Sequence, residues 1–386
     1  MSFLDIDKIN LINSGRNWYG DVIDAYTPER NYSFSFPDLI TGEPMIIRSK
    51  AAGASPSGTI ALNYTANTTV IPATCIIPLL VSGFTETYAI EAGIETTFTA
   101  PASSFNMNVK FTGSSASTAW LNYIELLGRA NLKYSDAQLY FRDSRTVAPG
   151  NITKYFLDAD DGIFIWDVTD RINVKNQLYV AGTDITFISS SDSLKQFIAF
   201  NTGDVFSSAD INYEGEVSNQ DLHDLTLTPD YVIVSHPAFL SEARRLAAYH
   251  HDVHGLDTLV VDIYQLYNEF SSGAQDISAI RDLMRMFYTR AAGDENLMPQ
   301  YLLLFGDASF DYRYIMFDAD KNTLKVPNYE SFESLSRGIS YGTDDYFGFL
   351  DLTEGDNIEE TSEKLDIGIG RLPVLTLEEA LSLIHI

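Results

Sequence analysis

From residue 31 onward, short runs of β-branched and aromatic residues recur, each broken by a cluster of Gly, Pro, Ser or Asn. The runs occupy 32–36, 45–48, 59–64, 105–111, 138–141, 162–168 and 196–200. In Asn106, Met107, Asn108, Val109, Lys110, Phe111 the apolar side chains fall on every second position, the period of a strand with one dry and one wet face. Runs of this length and spacing predict a two-sheet antiparallel β-sandwich, jelly-roll-like, over residues 29–210. Residues 1–28 read as the tail end of a preceding segment. Residues 120–132 mix aromatic, apolar and charged positions without a settled period, so neither helix nor strand is assigned there. Trp166, followed by Asp167, Val168, Thr169 and Asp170, ends a strand in a turn.

The pattern changes after a polar stretch with neither period, and the linker is placed at 211–228. Residues 231–234 form a continuous apolar run, and over 238–252 Leu240, Ala243, Leu246 and Ala247 share one helical face. Gly255 closes that helix where a left-handed residue is needed. A second buried strand follows at 258–261. Asp276 then caps a helix whose Ile277, Ile280, Met284 and Phe287 recur at helical spacing. Strands are predicted again at 301–305 and 366–371. A β-α-β-α-β order calls for parallel strands joined by right-handed crossovers, with ligands beyond the strands' carboxyl ends. Thr376 and Glu379 form a capping box for a last helix with Leu377, Ala380, Leu381 and Ile384 on its apolar face. No stop signal follows it, so the α/β unit of residues 229–386 is expected to be incomplete.

Composition narrows the function classes. Formal net charge is -28, from 25 basic and 53 acidic residues. Such a field repels phosphate backbones, so no nucleic-acid partner is expected, and it disfavours anionic membrane surfaces too. No apolar stretch is long enough for a membrane span, and residues 1–13 have neither the basic nor the apolar region of a signal peptide. Cys75 is the single cysteine, which excludes an intrachain disulfide and a Cys-rich zinc site. With no His nearby, it reads as a small buried hydrophobe. Strand aromatics of a sandwich can stack on sugars, although an aromatic in a strand more often serves the core.

Carboxylates gather past the strand at 301–305. Asp307 and Asp311 stand at its edge, and Asp344 and Asp345 follow within Tyr341, Gly342, Thr343, Asp344, Asp345, Tyr346, Phe347, Gly348. Clustered carboxylate oxygens suit a hard cation, so these four are candidate calcium ligands; the other reading has them cap turns or hold Arg371 or a backbone amide. Asp318, Asp320 and Asn322 imitate an EF-hand, but Thr323 replaces the required glycine and Tyr329 the twelfth-position Glu, so a turn explains them better. Asp351, Glu354, Asp356, Glu359, Glu360 and Glu363 read as a solvated face. His254-Gly255, with His250 and His251 one turn earlier, belongs to a helix end, where imidazolium suits the dipole. No nucleophile and base can be paired within the chain, and no Gly-x-Ser-x-Gly elbow is present. No catalytic residue is assigned and no cofactor is required.

The strand with its Gly306-Asp307, the 341–348 stretch, and Ile367, Gly368, Ile369, Gly370, Arg371, Leu372, Pro373 together resemble the opening of a gingipain-type cysteine peptidase domain, which has a caspase-like fold. Upstream, Ser14, Gly15, Arg16, Asn17, Trp18, Tyr19, Gly20 and the strand ending in Trp166, Asp167, Val168, Thr169 resemble the region before the peptidase in the PorU-like sortases of type IX secretion. The resemblance implies a Gram-negative cell-surface enzyme, associated with the outer membrane, that removes C-terminal secretion signals from cargo and attaches the cargo to anionic lipopolysaccharide. It implies thiolate attack on a peptide carbonyl, a His that handles the proton, and a lipid-linked amine in place of water. Implied partners are the cargo proteins, the lipopolysaccharide acceptor, and PorV-, PorQ- and PorZ-like components of the secretion system. The family's catalytic His, in a His-Gly motif, and its Cys are expected downstream of Gly370-Arg371, so the chain reads as a fragment. Two alternatives stay open: a non-catalytic surface protein whose sandwich recognises a glycan or partner, and a secreted peptidase acting on host protein.

Overall fold

Alternation governs the first half of the chain. Strands Ser2–Asp5 (β1), Val22–Asp24 (β2), Glu29–Ser35 (β3), Pro44–Ala54 (β4), Ile60–Ala66 (β5), Thr69–Ile77 (β6), Ile90–Thr99 (β7), Ser104–Thr112 (β8) and Thr118–Leu127 (β9) build two antiparallel sheets. One runs β1-β9-β4-β7 with β2 also on β9; the other runs β3-β8-β5-β6. The computed structural model describes residues 1–81, 86–135, 138–203, 213, 215–217, 220–354, 358 and 364–384. On β8, Phe105, Met107, Val109 and Phe111 are buried while Asn106 and Lys110 face water. They meet Ile47, Leu62, Tyr64, Ile124 and Leu126 in one core between the sheets. Each such side chain contributes roughly 1.5–3 kcal/mol relative to exposure, and the sum holds the sandwich closed.

The boundaries differ from those the pattern predicts. Residues 1–28 are no preceding tail: β1 and β2 both pair with β9, and Ile23 lies in the sandwich core. Nor does the sandwich run to residue 210. After β9 comes a second unit with its own core, in which the sheet Leu139–Phe141 (β10), Phe197–Phe200 (β15), Phe164–Asp167 (β12), Lys175–Asn176 (β13) packs on a ribbon of Ile152–Leu157 (β11) and Ile185–Ser190 (β14). Phe141, Tyr155, Phe187 and Phe197 stack there with ring centres 4.8–6.2 Å apart. Both units are antiparallel and use the same turn residues, so no change of period marks the seam. The unreadable stretch after Trp120 is β9 itself. Ala119 and Leu121 face the core, then Ile124 and Leu126 do, because the register slips at the bulge opposite Lys50 and Ala51.

The third part is built on the other period. Tyr231–Ser235 (β16), Thr258–Asp262 (β17), Tyr301–Phe305 (β18) and Gly368–Leu372 (β21) form a parallel sheet in the order β17-β16-β18-β21. Leu240–His254 (α1) and Leu377–Leu383 (α4) cover one face through Ala243, Ala247 and Ala380. Ile263–Phe270 (α2) and Ile277–Ala291 (α3) cover the other through Leu266, Ile280, Leu283 and Phe287. Burial from both sides is why these strands read as unbroken apolar runs. The short helix α2, capped by Asp262, was not legible as separate from β17. Asp276 caps α3, and Thr376 with Glu379 makes the capping box of α4. Of the linker at 211–228, residues 211, 212, 214, 218 and 219 lie outside the described residues. From Gln220 on it is bound to the α/β part, since Glu269 accepts from Gln220 Nε2 and Leu222 N and Leu222 enters that core.

Candidate functional site

Polar groups of the parallel sheet collect at the carboxyl ends of its strands. Connections leave β16 toward β17 on one side and reach β18 on the other, so the sheet's switch point lies between β16 and β18, where crevices form. There β18 ends in Gly306, whose N–H donates to Leu372 O at 2.9 Å. Gly306 has φ 148°, and a Cβ would stand 2.7 Å from Cβ of Lys325, so glycine is required. Asp307 engages this edge through its backbone, its N–H donating to Val374 O and its carbonyl accepting from Lys325 and Val326. Across the switch point His236 follows β16, with its N–H on Phe305 O and its Nδ1 accepting from Ala238 N at 3.2 Å. Burial, and secondarily the charge of Lys325, lowers its pKa, leaving a neutral imidazole at pH 7. The sequence reading missed His236, although a His directly after the first parallel strand was the available signal.

Arg371 organises the same edge. Its Nε and Nη2 reach Asp344 Oδ2 and Oδ1 at 2.8 and 2.6 Å, its Nη1 donates to Gly306 O and Val326 O, and Nη2 also donates to Pro327 O. The fork thus spends all its donors on one carboxylate and three carbonyls from two loops. With the arginine side chain 12% exposed, the pair is well shielded from solvent screening.

The four calcium candidates do not converge. Asp344 is taken by Arg371. Asp311 is fully buried and accepts the backbone N–H groups of Ile315, Met316 and Phe317 at 2.8–2.9 Å, capping its own loop. Asp345 is exposed and opens the short helical turn Asp345–Gly348. Among the described residues no group of three or more His, Cys, Asp or Glu is placed to hold a metal ion. Asn322 is buried, its amide donating to Asp311 O and its Oδ1 accepting from Leu324 N, and residues 318–322 form a turn.

The other tempting residues lie elsewhere. Gly255 adopts φ 68° and its N–H caps α1 on His250 and His251 carbonyls, so His254-Gly255 ends a helix. Cys75 sits on β6 in the sandwich core, and burial pushes its thiol up to about 11. Every described histidine belongs to the α/β part, so among the described residues no thiol faces an imidazole. Glu354 departs from the solvated-face reading: it is buried, and its carbonyl accepts from Arg281 Nη2. Asp356, Glu359, Glu360 and Glu363 lie outside the described residues. Beside the edge an open groove of about 500 Å³ runs between Asn13 and Ser14 on one wall and Ser309, Phe310, Lys321, Asn328 and Glu330 on the other. None of the four calcium candidates lines it.

Residues 224–385 match Peptidase family C25. The crystal structure of dimeric latent PorU from Porphyromonas gingivalis superposes on 99% of this chain with a TM-score of 0.82 at 22% identity, and this chain spans 37% of its length. Carbohydrate-binding modules match locally, with too little overlap to carry an argument: CBM36 in complex with calcium and xylotriose (TM-score 0.24, 13% identity, 33% of this chain and 99% of that one) and the CBM6 of LamC from Zobellia galactanivorans (TM-score 0.19, 12% identity, 33% and 99%). No curated protein matches the chain.

Proposed function

We propose that the chain is the part of a type IX secretion sortase that joins the β-rich region to the peptidase domain, a reading supported by the match of residues 224–385 to Peptidase family C25 and by the fold the chain shares with PorU. In this reading the whole protein works at the outer-membrane surface. It cleaves the C-terminal secretion signal from cargo proteins, and the acyl group passes from a cysteine thiolate to an amine on lipopolysaccharide. PorV-, PorQ- and PorZ-like components are its assembly partners. The observation that carries the reading is the C25 match on a chain whose upstream β-rich region also superposes on PorU. Acyl transfer needs a thiolate beside an imidazole, and Cys75, un-ionised in the sandwich core, is not that group. Deleting the gene tests the proposal: cargo should then accumulate with its C-terminal signal attached and without lipid. Normally processed cargo in the deletion strain would overturn it.

A second reading, a non-catalytic surface binder, draws on the outer face of the second β unit, where Tyr140 and Trp166 are 68% and 40% exposed. Normal processing in the deletion strain, with loss of glycan or partner binding, would favour it.

A further inference from the structure

Residues 14–20, which the proposed function leaves unused, cross from the sandwich to the α/β part. Their root is firm. Tyr19 is fully buried beside Leu11, Ala52, Ala89 and Trp120 on the outer face of the sandwich, and the Asn10 side chain holds Gly15 O at 2.8 Å and Ser14 N at 3.1 Å. From that root the segment runs along residues 329–341 of the α/β part. Gly15 N donates to Glu330 Oε2 at 2.8 Å, Arg16 N to Ser331 O at 3.0 Å, and Asn17 N to Ser334 Oγ at 3.0 Å. Asn17 Nδ2 reaches Phe332 O, and Ser340 Oγ donates to Ser14 Oγ at 2.8 Å. Gly15 has φ 77°, and a Cβ there would stand 2.3 Å from Glu333 O, so only glycine permits the approach. The Arg16 guanidinium lies 3.2 Å from the Phe332 ring centre and donates to Tyr329 OH at 2.8 Å. Trp18 stacks on Phe310. A second contact from the sandwich joins the same loop, with Tyr88 N on Leu335 O at 2.7 Å and Thr87 bridged to Ser336.

What this segment grips is placed to matter. Strands Tyr329–Glu330 (β19) and Gly342–Thr343 (β20) pair as a small ribbon. Val326 and Pro327, whose carbonyls take Arg371, stand just before β19, and Asp344, whose carboxylate takes Arg371, stands just after β20. The ribbon therefore joins the two sides of the Arg371 cluster.

We propose that residues 14–18 are a positioning clasp: by holding the 329–341 ribbon against the sandwich, they set how Val326, Pro327 and Asp344 close on Arg371, and so fix the carboxyl edge of the parallel sheet. This rests on the proposed function only in treating that edge as the place of chemistry. Arg16 is a positioning residue whose cation lies against aromatic faces, a contact whose strength grows with desolvation.

The test is hydrogen exchange on the chain itself, a readout independent of any sortase activity. Arg16→Ala should speed exchange across 326–344 by about tenfold or more, the loss of one cation–π contact and one hydrogen bond, while β4, β8, β16 and β18 keep their protection. Arg16→Lys should recover part of it. Asn17→Ala, a milder lesion, should loosen the same region less. Unchanged exchange over 326–344 in both alanine variants would overturn the proposal. So would a uniform loss of protection over sandwich and parallel strands with Asn17→Ala, which would mark the segment as a general folding element.

Discussion

The sandwich and the parallel sheet place their polar groups in opposite ways. In the sandwich each strand has a dry and a wet face, so most polar residues spread along the outer faces, and the apolar interior encloses Cys75 and a buried Ser49–Tyr64 hydroxyl pair at 3.1 Å. In the parallel sheet both faces are covered and β16 is buried throughout, so polar chemistry is displaced to the strand ends. Charge follows the same division. Residues 1–200 hold 20 acidic and 14 basic residues, and residues 201–386 hold 33 and 11. In the acidic half, a cation such as Arg371 becomes an organising centre. The thiol in the sandwich is kept neutral by burial, whereas the polar groups at the ends of the parallel strands pair with one another and with loop carbonyls.

The largest expected effect that would sharpen this contrast is Arg371→Ala. It leaves Asp344 without its cation and the Gly306, Val326 and Pro327 carbonyls without their donor, and the loss of one partner from such a shielded pair costs about 3–5 kcal/mol. Urea unfolding of the α/β part should show it. Arg371→Lys should restore only part, because an ammonium cannot reproduce the fork. A loss below about 1 kcal/mol, the scale of an exposed ion pair, would break the contrast.

A smaller effect concerns Glu330. Burial raises its carboxyl pKa, against the lowering by Gly15 N and Asn328 Nδ2. The sign follows: a folded pKa above the unfolded one means the charged form is the less favoured in the fold, so stability falls as pH rises from below the ordinary carboxylate range to above the raised value. Glu330→Gln removes that cost, and Asn328 Oδ1, buried and unpaired, can turn to accept from the new amide. The variant should melt about 1–2 °C higher at pH 7, the scale of a fraction of a kcal/mol in a chain of this size, and show no gain at pH 4. Destabilisation at pH 7 without any at pH 4 would show that the Gly15 contact depends on the negative charge.

Legibility differed along the same line. Apart from α2, the helices of the parallel part were readable because each keeps a single period and ends or starts on a cap: Asp276, Gly255 and the Thr376–Glu379 box all lie where the pattern put them. In the β-rich part the strand character of β3, β5 and β8 was visible, but which strands share a sheet was not, since pairing such as β4 with β9 joins residues far apart in the chain. The bulge hid β9, and two antiparallel units with identical grammar concealed their seam. At the site, Asp307, Asp311, Asp344 and Arg371 were noticed as residue types at one edge. The reading in which they cap turns or hold Arg371 is the one the structure bears out for Asp311 and Asp344, but which carboxylate takes which partner was not legible, because that depends on how loops return over the sheet. The motif at 14–20 was recognised only by resemblance; its approach to the 329–341 loop is a tertiary fact.

The sortase proposal puts the chemistry at the carboxyl edge of the parallel sheet and gives the thiol in the sandwich no part in it. The most direct test is Cys75→Ala in the full-length protein in cells. The account predicts cargo processed at the wild-type level when the variant accumulates normally. Uncleaved cargo in the presence of normal amounts of folded variant would contradict it.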